Sequence, residues 1–150
     1  MDAVLATLDF SRAKGALSEV MTEVVHGHRP QVISRHRGKE RMLLVRPEDL
    51  VGCLETFRFE SRVVLDGGEV TVELAELGVL GLGSTLDEAM ADLVAELRLY
   101  ARRFFEQAGF YLQSDRRGHA PWLLRFALTP EDEQIALLLE DSPTASSSSG

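Results

Sequence analysis

The sequence predicts an α+β chain: a strand–helix–hairpin–helix unit at the N-terminus, then a second, small α+β segment. Three observations predict it. From Ala13 to Val25 apolar residues recur at the i, i+3, i+4, i+7 spacing of one helix face. Twice, two strand-like runs flank a short turn signal, at His36-Arg37-Gly38-Lys39 and at Asp66-Gly67-Gly68. Thr85-x-x-Glu88 then opens a long amphipathic stretch with the signature of a capped helix.

In chain order, Val4 to Leu8 reads as a short strand and Asp9-Phe10-Ser11 as a turn, with Ser11 as the helix N-cap. The helix carries Ala13, Ala16, Leu17, Val20, Met21, Val24 and Val25 on one face and stops at His26-Gly27. The hairpin pairs Pro30–Arg35 with Arg41–Arg46. Side chains alternate along a strand, so Val32 and Ser34 share one face while Ile33 and Arg35 share the other. Met42-Leu43-Leu44-Val45 has no polar alternation and reads as a strand covered on both sides, which in so small a unit implies a partner subunit. Pro47 sits at a helix N1 position, with Glu48 and Asp49 in the first turn. Cys53, at helical spacing from Leu50, Leu54 and Phe57, reads as a buried structural thiol.

Arg58 to Leu65 and Glu69 to Leu74 form the second hairpin. Leu77 to Leu86 is glycine-rich and precedes a helix, the setting of a phosphate loop. It lacks Gly-Lys-Ser/Thr, and no lysine follows Lys39, so a Walker-type nucleotide site is excluded. The capped helix places Leu86, Ala89, Met90, Leu93, Leu97 and Tyr100 on one stripe and is expected to run to Phe105. Gly109 to Gly118 reads as a loop, and Trp122 to Leu128 as a strand with Trp122 in a core or interface. Thr129-Pro130-Glu131-Asp132 starts a last helix with Ile135, Leu138 and Leu139 on its apolar face. Residues 142–150 are low-complexity and are expected to be disordered.

Composition bounds the function. A chain of 150 residues, 45% apolar, suffices for one ordinary domain or two small ones. A lone cysteine forms no internal disulfide. The opening MDAVLATLDF has an acidic second residue and no uninterrupted apolar run, so it is not expected to be a secretory signal. No apolar run approaches the roughly 18 residues needed to span a bilayer. A soluble, cytoplasmic protein without a membrane partner is expected. The net charge of −8 is unevenly placed. Residues 1–66 carry ten basic and ten acidic side chains, and residues 67–150 six and fourteen. From Arg29 to Arg46 there are six basic residues against one acid, Glu40. Nucleic acid would meet that basic patch while the acidic half faces away.

The candidate binding residues follow from this patch and the first helix. Ser11, Arg12 and Lys14 surround a helix start, where free N–H groups and the helix dipole favour a phosphate; a solvated first turn would look the same. Arg35, Arg37 and Lys39 stand at the hairpin end, where charge also serves to keep an edge soluble. His26, His28 and His36 fit no standard metal-ligand spacing, and neither a metal nor another cofactor is expected. No Ser-His-Asp order or clustered carboxylate pair stands out, so the protein reads as a binder and not an enzyme.

The ordered run Phe10-Ser11-Arg12-Ala13-Lys14, Leu17-Ser18, Pro30, Ile33-Ser34-Arg35, Gly38, Met42 to Val45 and Leu54-Glu55-Thr56 resembles the Phd/YefM family of prokaryotic antitoxins over residues 1–57. The resemblance implies a homodimer formed through 1–57, displaying two Arg35 residues and two hairpin tips to a palindromic operator. Lys14 and Arg35 match the family's basic positions, which adds them to the DNA-binding set Ser11, Arg12, Lys14, Arg35, Arg37 and Lys39. It also implies a cognate toxin, often a ribonuclease of the RelE kind, neutralised by residues 58–141, and autorepression of the operon. Typical members have a short tail after the second helix, whereas this chain continues into folded structure. Gly83 to Tyr100 is similar to the helix start of HicB-like antitoxin domains. A stand-alone dimeric repressor or interaction module without a toxin remains the alternative.

Overall fold

The computed structural model describes residues 4–141. The chain divides into two compact units, Met1–Cys53 and Leu54–Gly150, and each carries its own three-stranded sheet.

In the first unit β1 (Ala6–Asp9) runs parallel to β2 (Gln31–Arg35), which pairs antiparallel with β3 (Glu40–Leu44). The expected continuous helix is two: α1 (Phe10–Gly15) and α2 (Leu17–Val25), broken at Ala16, whose φ of −125° and ψ of 31° are not helical. Leu17 and Met21 are exposed, and of the expected stripe only Ala13, Val20 and Val24 reach the core beside Ile33. Asp9, not Ser11, caps α1: its carboxylate accepts the Ser11 N–H at 3.0 Å. A carboxylate placed one residue before the first turn reaches the same unpaired N–H groups as a serine within it. α3 (Pro47–Cys53) starts at Pro47 as expected, but none of its residues is buried. Cys53 is exposed, contrary to expectation, with Sγ bonded to the Asp49 carbonyl. Leu50 and Leu54, at helical spacing from it, are half-buried, while Cys53 lies at the open side of that face.

In the second unit β4 (Ser61–Asp66), β5 (Glu69–Leu74) and β6 (Val79–Gly83) form an antiparallel meander. Gly67 and Gly68 both take positive φ, which suits the two-residue turn between Asp66 and Glu69. β6 occupies the stretch that resembled a phosphate loop, and its glycines have another purpose. A Cβ on Gly81 would lie 2.3 Å from the Ala89 carbonyl oxygen, and one on Gly83 2.6 Å from the Ala89 amide nitrogen. Bare backbone lets the long helix α4 (Leu86–Glu106) rest directly on the strand. Thr85 Oγ1 accepts the Glu88 N–H at 3.1 Å, and the Glu88 carboxylate accepts the Ser84 N–H at 2.8 Å. The reciprocal bond thus falls one residue earlier than in a standard capping box. Ala89, Met90, Leu93, Val94, Leu97, Ala101 and Phe104 bury against β5, β6 and the segments that follow.

Beyond α4 the structure departs from expectation in three places. Residues expected as loop form α5 (Ala108–Tyr111) and a 3-10 turn at Asp115–His119. Trp122–Leu128, expected as a strand, is α6 (Ala120–Leu128). A short run that is apolar apart from Arg125 does not distinguish strand from buried helix by periodicity, and the run lacks β-branched residues while Pro121 sits in the first turn. The last helix begins with a 3-10 turn at Glu131–Glu133 and continues as α7 (Gln134–Leu138). Leu138 is buried as expected, but Gln134 is buried in place of Ile135. Its amide oxygen accepts the Arg98 Nε–H at 2.8 Å and its amide nitrogen donates to Thr129 O at 3.2 Å, which meets the cost of burial.

The segment entering β4 is strapped to the C-terminal turn. Trp122 Nε1 donates to Arg58 O at 2.9 Å and packs edge-on against Phe57. Buried Arg125 donates Nη1 to Phe57 O at 3.0 Å and Nη2 to Glu140 at 2.9 Å. Asp141 pairs with Arg58, which holds its carboxyl below the usual range. The expectation for residues 142–150 lies outside the described residues.

Candidate functional site

The parallel pairing of β1 with β2 decides where the candidate residues meet. Asp9 lies opposite Ser34, so both strands end at the same end of the sheet. From that end the chain enters α1 after Asp9 and the hairpin turn after Arg35. Ser11, Arg12 and Lys14 on one side, and Arg35, Arg37 and Lys39 on the other, are therefore grouped, although more than twenty residues of sequence separate them. The Arg35 guanidinium lies 6.0 Å from the Phe10 ring centroid, which ties the two segments together. A cleft of about 270 Å³ opens here, lined by Phe10, Ile33, Arg35, Glu40, Arg41 and Met42.

The cations in this group differ in their commitments. Arg35 donates Nε and Nη2 to the two Glu40 oxygens at 3.1 and 3.0 Å, a bidentate cross-strand pair that raises its already high pKa. Its Nη1 is outside that pair. His36 Nε2 stands 3.0 Å from the same carboxylate. Arg12, Lys14, Arg37, Lys39 and Arg41 have no side-chain hydrogen bond or ion pair among the described residues. The remaining cations of the unit are paired: Arg29 with Glu23 at 3.0 Å and Arg46 with Glu48 at 3.1 Å. Free positive charge is thus concentrated at one end of the sheet.

Two features qualify the expected phosphate chemistry. The Ser11 N–H is already bound by Asp9, so the start of α1 presents a carboxylate beside the Ser11 hydroxyl. The turn itself holds His36, Arg37 and Gly38 at φ of 52°, 57° and 81°, a left-handed run that costs non-glycine residues roughly 1 kcal/mol or more each. Glu40 bridges Arg35 and His36 across the turn, and Arg37 stands exposed between them and Gly38. Composition had singled out Arg37; only the backbone angles show that it occupies a strained position. Arg41, on the sheet face of Ser34, was not among the six expected contacts and joins them by register. His28, away from this end, lies 3.1 Å from both Asp49 carboxylate oxygens.

These features describe a small α+β protein with a compact cationic end and an acidic second unit, and comparison with known proteins gives the class. A family model described as antitoxin of toxin–antitoxin, RelE / RelB, TA system, with the short name PHD-like, matches residues 1–141, and the chain belongs to that family. It is an antitoxin of a toxin–antitoxin system, which implies a cognate toxin as partner. Its fold is similar to the crystal structure of an antitoxin part of a putative toxin/antitoxin system from Syntrophomonas wolfei subsp. wolfei. The TM-score is 0.74 at 16% identity, covering 89% of this chain and 96% of that one. A search of curated proteins gives no match. Among the described residues no helix is long and apolar enough to cross a membrane.

Proposed function

We propose that this antitoxin is of the Phd/YefM kind: its first unit dimerises and binds operator DNA, and its second unit engages a RelE-like toxin. The observation that carries the DNA reading is the concentration of unpaired cations, Arg12, Lys14, Arg37, Lys39 and Arg41, at one end of a sheet in a chain of net charge −8. Phosphates are the ligand for such a patch, because each contact releases a counterion from the duplex. Arg35 contributes through Nη1 while Glu40 fixes its plane, a use of the guanidinium fork that lysine would not reproduce. Ser11 adds its hydroxyl.

Dimerisation is supported by what the first unit fails to bury. Its core holds four buried apolar side chains, Ala13, Val20, Val24 and Ile33, while Phe10, Leu17, Met21, Met42 and Leu43 stand exposed. So small a core is marginal for an independent unit, and a second copy covering the exposed residues would complete it. The acidic balance of residues 67–150 suits a basic, RNA-handling toxin, and binding rather than catalysis is the proposed mode of action.

The test is mobility shift of the full-length protein on DNA from its own promoter across a salt series. If a dimer neutralises about six phosphates, log K falls against log salt with a slope near −5. Lys14→Ala and Arg35→Ala should each weaken binding while the dimer stays intact. A flat salt response, or unchanged affinity in both variants, would remove the DNA assignment.

A further inference from the structure

β4 is an edge strand with an unprotected outer side. α4 lies over β5 and β6, leaving Val63, Val64 and Leu65 exposed, the last by 76%. Edges are ordinarily blunted by lysine, proline or a bulge, and Val63-Val64-Leu65 has none. The direction of the free backbone groups follows from β6. The Leu82 N–H donates outward to Asp92 at 2.9 Å, so Leu82 is not bonded to β5. Thr71, opposite Leu82, then turns its N–H and C=O toward β4, where Val64 is its partner. By alternation Val63 and Leu65 present theirs to the outside, and among the described residues no backbone partner from another segment takes their N–H groups.

We infer that β4 pairs antiparallel with β4 of a second copy, centred on Val64, to form one continuous six-stranded sheet. The register is selected by charge. Centring on Val64 sets Val63 against Leu65 of the second copy, both with outward hydrogen-bonding groups, and Arg62 against Asp66. Centring on Val63 would set Asp66 against Glu60, and centring on Leu65 would set Arg62 against Gly68, leaving the charges unmatched. Arg62 and Asp66 have no side-chain partner within the chain among the described residues, and Asp66 lies opposite Glu69, a like charge that a cation from the second copy would offset. The symmetric pairing satisfies both charges twice and covers the apolar run. It is independent of the dimer proposed for the first unit.

Self-opposed Val64 residues make a direct test. Opposed residues of a non-hydrogen-bonded antiparallel pair have Cα atoms about 4.5 Å apart, within disulfide range. In the full-length chain carrying Cys53→Ser, Val64→Cys should form a disulfide-linked pair on mild oxidation at least about tenfold faster than Leu80→Cys, which is as exposed and lies on the same sheet face. Added to Val64→Cys, Arg62→Asp or Asp66→Arg alone should slow linkage about tenfold, and the two together should restore it. Linkage no faster than in the Leu80 variant would overturn the pairing. Failure of the double exchange to restore linkage would overturn its register. Loss of the co-expressed toxin from the charge variants, with linkage unaffected, would assign the edge to a toxin strand instead.

Discussion

Substituting Gly81 by alanine adds one methyl group at the closest approach of β6 and α4, and the structure sets the size of the effect. The new Cβ would lie 2.3 Å from the Ala89 carbonyl oxygen, 2.4 Å from the Leu93 nitrogen and 2.7 Å from the Leu93 Cα. All three are backbone atoms, so no side chain can swing aside; the helix has to lift from the strand. Lifting it loosens Ala89, Met90 and Leu93 from Val70 and Val72, the centre of the second unit's core. Overpacking usually costs about 1–3 kcal/mol, and a clash with backbone on this scale belongs at or above the upper end. For a unit of this size about 3 kcal/mol corresponds to a melting-temperature decrease of roughly 10–20 °C. Gly109→Ala in α5, where a Cβ meets nothing within 4 Å, is the matched control and should be neutral or slightly stabilising. Thermal unfolding followed by circular dichroism distinguishes them. Equal melting temperatures for the two variants would refute the close-approach explanation of the glycine-rich stretch.

Two further predictions concern the second unit. Glu140→Ala leaves the buried Arg125 guanidinium with Phe57 O as its remaining partner, its Nε being already unpaired, and should cost about 3–5 kcal/mol in chemical denaturation. Stability should fall with acid in two stages. Burial lowers the His119 pKa, so from about pH 6.5 downward the unfolded chain takes up that proton first and stability begins to decline. The Ser84 hydroxyl and N–H lower the Glu88 pKa, and Arg58 lowers that of Asp141; these contributions are present above about pH 4 and are lost as pH drops through the folded values. Urea midpoints from pH 8 to 3 measure both stages, and Glu88→Gln should flatten the lower one.

What was legible in the sequence was local. Turn glycines, the Pro47 helix start and the Thr85–Glu88 cap are set by interactions within a few residues, and these elements form where the residues place them. The patterns failed where a nearby segment, or its absence, overrode them. The stripe from Ala13 to Val25 fits one helix, yet the helix breaks at Ala16, and Leu17 and Met21 find nothing in the first unit's core to pack on. The run Trp122–Leu128 is too short for periodicity to separate strand from helix, and as a helix it packs Leu123 and Phe126 into the second core.

The class of protein, the cationic composition of the first unit and the acidic balance of the rest are written in residue order, because family pattern and charge need no contact between distant segments. Tertiary structure decided which cations are free. Parallel pairing of β1 with β2 brings Arg12 and Lys14 to the same end as Arg37 and Lys39, while cross-strand register binds Arg35 to Glu40. Such groupings depend on contacts between segments distant in the chain, and the order of residues carries no local signal for them.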